Sequence, residues 1–425
     1  MNFWGDIVGS LSIILQIFEK IWFVVLPVGL YSAFKPMWMN FAQDEFYGTL
    51  EYILLEIIPP ADIEKSPRPM EALYNGIHAT AITHNAFDEL ALGKFNPSFS
   101  LEIVGDSGIA HFYIRTPKNF RNLIESNIYA HYPSAEIREV NDYVKDVPKT
   151  IPDKEWDIWG TEMELVKPDP YPIVTYRYFE EDITGTMIDP LASIIEGISK
   201  LEYGQKIWFQ IIIAPEKETW SNTGRELVEE ITGRKTKPKN TLTQLKEDLS
   251  DIVKGIFTGI LSPEKIEEMS SKKEAKDDVP LEFKMTPGEK EVVKAVESMI
   301  GKNVFKTKMR FVYVGKKENF DKSNVTNFMG ALKQFQDQNL NGFKPNDESK
   351  TYANYLMKEQ RMLYRQRRIF NRYRSRSNQR YSVRFILNTE ELATLFHFPD
   401  MSVVAPSLRK VESKKGGAPV NLPVS

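Results

Sequence analysis

The residues best equipped for chemistry are concentrated in Lys358–Arg384. Nine arginines (Arg361, Arg365, Arg367, Arg368, Arg372, Arg374, Arg376, Arg380 and Arg384) and Lys358 stand there against one acid, Glu359. Tyr364, Phe370, Tyr373 and Tyr381 are interleaved with them. Guanidinium groups supply permanently charged donor forks for phosphate or carboxylate, and aromatic rings supply stacking surfaces. The run has three readings: contact with nucleic acid, contact with an acidic protein or anionic lipid, and a solvated basic helix ahead of a strand over Tyr381–Leu387. Charge patterning alone leaves all three open. Arg361, Arg365, Arg367, Arg368, Arg372, Arg374 and Arg376 are the candidate contact residues. The 425-residue chain carries a formal net charge of −3, so this basic run sits in an otherwise acidic molecule.

No other constellation reads as a reaction centre. The chain has no cysteine, which excludes disulfides, thiolate zinc sites, iron–sulfur clusters and a cysteine nucleophile. The five histidines, His78, His84, His111, His131 and His397, are scattered and read as packed or surface side chains. Gly301-Lys302 and Gly315-Lys316 lack the glycine-rich turn of a phosphate cradle, and no nucleophile elbow or H-E-x-x-H is present. Glu180-Glu181-Asp182 offers paired carboxylates, which a solvated turn explains equally well. The expectation is a protein that is not an enzyme and takes no cofactor or metal.

The elements that must position the basic run begin with an apolar N-terminus. Ile21–Phe34 is uncharged, and a span over about residues 20–41 has Lys20 at one end, Lys35 near the other, and Trp22, Tyr31, Trp38 and Phe41 suited to the interfaces. A signal peptide lacks its basic leader and cleavage site here, and a buried globular helix is the remaining alternative. Lys35, Lys65 and Arg68 place the large C-terminal part inside. Next come a strand over Leu50–Ile58, a helix started by Ser66-Pro67, a hairpin of Phe99–Val104 and Ile109–Arg115, a helix started by Thr116-Pro117, and a strand over Ala135–Val140. This β-α-β-β-α-β order is the split βαβ, ferredoxin-like pattern. It recurs with strands at Tyr171–Phe179, Lys206–Ile213 and Phe305–Val314, and with helix starts at Asp189-Pro190 and the capping box Thr286–Glu289. An insertion at 216–285 interrupts the second unit. It holds an apolar helical stripe from Leu242 to Ile260 and a charged linker over 264–280.

Several stretches carry a resemblance. YILLEIIPP at Tyr52–Pro60, SPRPM at Ser66–Met70, Ser100–Pro133, MTPGEKEVVKAV at Met285–Val296, Met309–Phe343 and LNTEELATLFHFP at Leu387–Pro399 together resemble the N-terminal region of membrane-anchored proteins of the type IV secretion and conjugation kind. In that family the region precedes a HerA/TraG-like DNA-translocating ATPase. No Walker motif occurs in this sequence, so the resemblance assigns ATP hydrolysis to no residue here.

The expected architecture is α+β. Residues 1–45 form a membrane anchor, 46–148 a first ferredoxin-like sandwich, 149–345 a second one with the insertion, and 346–425 the basic arm, a last strand and a connector. The resemblance implies a non-catalytic, single-pass inner-membrane docking module. Its C-terminal part is cytoplasmic, it is homo-oligomeric, and it positions a HerA/TraG-like ATPase at the membrane. The alternative is a nucleic-acid-binding module acting through 358–384, with DNA as partner.

Overall fold

The computed structural model describes residues 3–61, 63, 66–180, 188–216, 220–232, 285–378, 383–400 and 410, with backbone alone at 3–19, 21, 24, 25 and 180. Its centre is an antiparallel sheet of nine strands in the order β4-β1-β3-β2-β6-β7-β5-β8, with β9 also on β7. The strands are β1 Tyr52–Ile58, β2 Phe99–Asp106, β3 Ile109–Pro117, β4 Glu136–Val140, β5 Trp156–Leu165, β6 Gln205–Pro215, β7 Val304–Lys316, β8 Phe343–Pro345 and β9 Phe385–Asn388. β5 and β9 lie in tandem along one edge of β7: β5 pairs with Met309–Lys316, and β9 with Val304–Thr307.

Side-chain alternation along each strand sorts the core into two faces. Leu55, Ile57, Leu101, Ile103, Phe112, Ile114, Phe209, Ile211, Phe311 and Tyr313 point to the first face. Helices α2 (Arg68–His78), α4 (Arg121–His131), α6 (Ala192–Ser199), α9 (Ser323–Leu332) and α11 (Thr389–Leu395) supply apolar residues to the same core. Val104, Tyr113, Ile158, Trp208, Val312 and Val314 point to the second face, where α10 (Lys358–Arg374) covers them with Ile369, Phe370 and Tyr373. With both faces covered, β6 reads as a near-continuous apolar run and is buried at ten of its eleven positions. A smaller cluster joins α7 (Ser221–Ile231) to α8 (Pro287–Ile300) around Val292 and Val296. The capping box of Thr286 and Glu289 starts α8.

The two separate ferredoxin-like sandwiches are overturned. The order β4-β1-β3-β2 is repeated as β8-β5-β7-β6, but the halves are hydrogen-bonded to each other from Phe99↔Ile213 to Asp106↔Lys206. The physical reason is in β2 and β6: both are buried along nearly their whole length, and left as edges they would expose unpaired backbone beside the apolar side chains Phe99, Leu101, Ile103, Phe209, Ile211 and Ile213. The expected strand at Tyr171–Phe179 is instead a short helix, α5 (Tyr176–Glu180), and the strand of that half is β5, fifteen residues earlier. The expected strand at Tyr381–Leu387 begins later, as β9, and 381–382 lie outside the described residues. So do the stripe from Leu242 to Ile260, the linker 264–280, and Glu181 and Asp182.

The membrane anchor is also overturned. The N-terminal segment is one helix, α1 (Phe3–Gly48), but among the described residues no helix is long and apolar enough to cross a membrane. Lys20 and Lys35 interrupt its apolar stretch, and Pro27 and Pro36 lie inside it. Its last third belongs to the body of the protein. Met39 and Ala42 are buried, the Trp38 indole N–H donates to Leu90 O (2.6 Å), and Phe46 meets Phe95 edge to face. Gly93, at φ +62°, admits this packing, because a Cβ there would fall 2.2 Å from the Ala42 carbonyl carbon. The single-pass inner-membrane placement falls with the anchor.

Candidate functional site: the basic helix, its buried ladder and its outer rim

α10 has an inner side made by Gln366, Ile369, Phe370 and Tyr373, residues at helical spacing that are all buried. Trp208 of β6 stacks on Phe370 and Tyr373, at centroid distances of 6.3 and 5.2 Å. Gly160 of β5 lets the helix come this close: a Cβ there would lie 3.3 Å from the Ile369 side chain.

Beneath α10 a polar row crosses the sheet. Arg138, Glu56, Tyr113, Glu102, Gln210, Arg310 and Glu162 sit directly opposite one another on β4, β1, β3, β2, β6, β7 and β5. Glu102, Gln210, Arg310 and Glu162 are almost completely buried. Gln210 joins the halves, its amide donating to Glu102 (3.0 Å) and its carbonyl accepting from Arg310 (3.1 Å). Arg310 Nε donates to Glu162 (3.1 Å), and its remaining donors reach the carbonyls of Arg372 (3.2 Å) and Ser377 (2.6 Å). A polar row of this kind is tolerated in a core only when its members are hydrogen-bonded.

The basic run supplies the closing charges. Arg372 Nη1 donates to Glu162 (3.0 Å). Arg376, buried and at φ +47°, grips Glu102 through Nε and Nη2 (3.0 Å each) and also pairs with Asp142. Tyr143 OH donates to Glu102 (2.7 Å), and Tyr373 OH lies 2.7 Å from the Tyr143 oxygen. Burial alone would raise the Glu102 carboxyl. The Arg376 charge, with hydrogen bonds from Arg376, Ser100 and Tyr143, overrides it and holds the group at about 2. Nearby Lys308 is pushed down to about 6, by burial first and then by the charges of Arg384 and Arg310.

The outer rim is different. Arg361, Arg365 and Arg368 form one stripe along α10, and each uses a single donor to hold the preceding loop. Their acceptors are Asn354 O (3.0 Å), Tyr352 O (2.5 Å) with Lys350 O (3.1 Å), and Glu348 O (2.6 Å). Arg374 reaches Lys149 O (2.6 Å), and Arg367 is exposed. The loop leads into α10 through Tyr355 (φ 71°) and Met357 (φ 55°), left-handed positions uncommon for such side chains. They hold Tyr355, Leu356 and Met357 out to solvent at 91%, 82% and 60% exposure, beside Tyr364 at 64%. A cavity of about 460 Å³ lies there, lined by Glu348, Met357, Gln360, Arg361, Tyr364, Arg365 and Arg368.

The seven candidate arginines therefore divide. Arg372 and Arg376 are structural ion-pair partners, Arg374 ties down a loop, and Arg361, Arg365, Arg367 and Arg368 reach the surface. The ladder residues Glu102, Glu162, Gln210 and Arg310 went unread in the sequence, though each is a polar interruption in an apolar strand. The stripe Gln366-Ile369-Phe370-Tyr373 was also visible there as helical spacing. The histidines are engaged separately: His78 with Glu216 O (3.1 Å), His111 with Glu56 (2.7 Å) and His397 with Asp189 (3.1 Å). Among the described residues no group of three or more histidines and acids stands where it could hold a metal ion.

No curated protein matches the chain. A family model described as "Domain of unknown function (DUF8128)" matches residues 43–410. That description carries no link to secretion, conjugation or ATPase association, and those expectations find no support. The match takes in the sheet, the ladder and both sides of α10, and the chain belongs to the DUF8128 family.

Proposed function

We propose that this protein is a non-catalytic docking module whose contact face is the outer rim of α10 with the turn that leads into it. One observation carries the reading: the backbone holds two non-glycine residues in the left-handed region, and the result is to present Tyr355, Leu356 and Met357 to solvent beside an arginine-lined cavity. Backbone in a sparsely populated region persists where its surroundings over-determine it, and such sites cluster at ligand clamps. Tyrosine, methionine and arginine together are also the composition of interface cores. The test is site-specific photo-crosslinking in cells, with the photoreactive residue at Tyr355 or Tyr364 and, as a control, at Tyr203, which is exposed in the turn before β6. Adducts confined to positions 355 and 364 are the expected result. Equal labelling at all three positions, or none, contradicts the reading.

The nucleic-acid reading retains one supporting observation. Tyr352, Tyr355 and Tyr364 are exposed among the cations, as a base-stacking platform requires. The burial of Arg376 on Glu102 and the pairing of half-buried Arg372 with Glu162 commit two of its seven phosphate contacts elsewhere.

A further inference from the structure

We infer that the outer rim of α10 receives an acidic, helix-forming protein segment that places one aliphatic side chain in the 460 Å³ cavity. This rests on the docking reading above and names the partner's chemistry. Arg361, Arg365 and Arg368 stand at i, i+4 and i+7, so their guanidiniums mark one helical stripe. At 1.5 Å per residue that stripe covers roughly 10 Å. Carboxylates at the same spacing on a second helix meet it one to one.

Three features favour a protein segment over a nucleic acid. The cations that line the cavity, Arg361, Arg365 and Arg368, make one short stripe on a single helix, whereas a phosphodiester backbone follows a longer basic groove. Glu348 lines the same cavity and its neighbour Asp347 is exposed, so this wall repels a strand charged at every nucleotide but fits between spaced carboxylates. The floor is apolar and concave, with Met357 and Tyr364 lining a cavity open enough to take an aliphatic side chain together with part of the backbone that carries it. Each lining arginine already has a donor on the loop carbonyl behind it, so the forks are held in place before any partner arrives.

The experiment measures fluorescence anisotropy with the full chain and three labelled probes. They are a peptide with glutamates at i, i+4 and i+7 around one leucine, its lysine counterpart, and an oligothymidine of equal length. The acidic peptide should bind and the lysine peptide should not. Arg361→Ala/Arg368→Ala should weaken the acidic peptide about tenfold, a loss of roughly 1.4 kcal/mol, with an unchanged thermal midpoint. Lys200→Ala, at the end of α6 and outside the cavity lining, should leave binding unaltered. Because alanine at Arg361 and Arg368 loosens the loop they hold, Arg361→Glu/Arg368→Glu is the second variant, and it should lose the acidic peptide and gain the lysine one. Oligothymidine binding without peptide binding overturns the inference and leaves the docking face standing. No binding by any probe, or binding indifferent to both variants, also overturns it. The crosslinking experiment separately decides the docking face.

Discussion

The two sides of α10 are built from the same residue types and do opposite work. On the inner side Arg372 donates to Glu162, the Tyr373 hydroxyl meets that of Tyr143, and Arg376 spends Nε, Nη1 and Nη2 on Glu102 and Asp142. On the outer side Arg361 and Arg368 hold one loop and turn the rest of their surface to solvent, and Tyr364 between them is exposed. The difference lies in what each guanidinium faces. Removing a buried ion-pair partner strands a charge in low dielectric, whereas an exposed guanidinium is solvated with or without its partner. An arginine run in a sequence is therefore no measure of an interaction surface until the helix's inner stripe has been subtracted.

The largest expected effect is at the ladder. Arg376→Met leaves Glu102 buried without its main countercharge and should destabilise the fold by about 3–5 kcal/mol in urea unfolding. A loss below about 1 kcal/mol would place Arg376 with the surface arginines. Phe370→Ala removes the ring stacked on Trp208 and should cost about 3–5 kcal/mol, while Tyr364→Ala, earlier on the same helix and on its outer side, should stay within about 0.5 kcal/mol. Comparable losses for the two would break the contrast between the sides.

Acid and base should act on different carboxyls. Glu102 titrates at about 2 in the fold against an ordinary 4.5, so its stabilisation is fully present above 4.5 and lost as pH falls towards 2. Glu391, buried in the capping box of α11, is raised to about 8 by burial, against hydrogen bonds from the Asn388 and Ile173 amides. Its folded form holds a proton between 4.5 and 8 that the unfolded form has released, so its contribution is present below 4.5 and lost as pH rises through 8. Glu391→Gln should flatten the stability decline between those values and leave the acid limb unchanged. Glu102→Gln should reduce the acid limb and leave the neutral-to-basic decline. Thermal midpoints across pH read both.

The smallest effect on stability is expected at the rim, where Tyr364→Ser should leave the thermal midpoint unchanged while it reduces acidic-peptide binding. Loss of both together would show that Tyr364 belongs to the core.

Much of the fold was legible as local grammar. The helix starts at Ser66-Pro67 and Thr286-Pro287, the hairpin turn at Gly105–Gly108 and most strand positions follow from caps, prolines and alternation. The joining of the halves was not legible, because pairing between β2 and β6 depends on edges more than a hundred residues apart, and local patterns carry no such term. β5 was missed because Asp157, Gly160 and Glu162 break its apolar alternation, and two of these serve the ladder and the close approach of α10. The anchor was overread because apolar run length does not register that Met39 and Ala42 are covered by protein. At the site, composition shows where along the chain the arginines stand, but only the register of β2, β5, β6 and β7 separates Arg372 and Arg376, paired with ladder carboxylates, from the exposed ones.

The division of labour on α10 is tested most directly by urea unfolding of two double variants that remove the same charge from the same helix region. Arg372→Gln/Arg376→Gln strips the inner side and Arg361→Gln/Arg367→Gln strips the outer side. The first should lose several kcal/mol, and the second should unfold within about 0.5 kcal/mol of the parent chain. Equal shifts in the two urea midpoints would contradict the account.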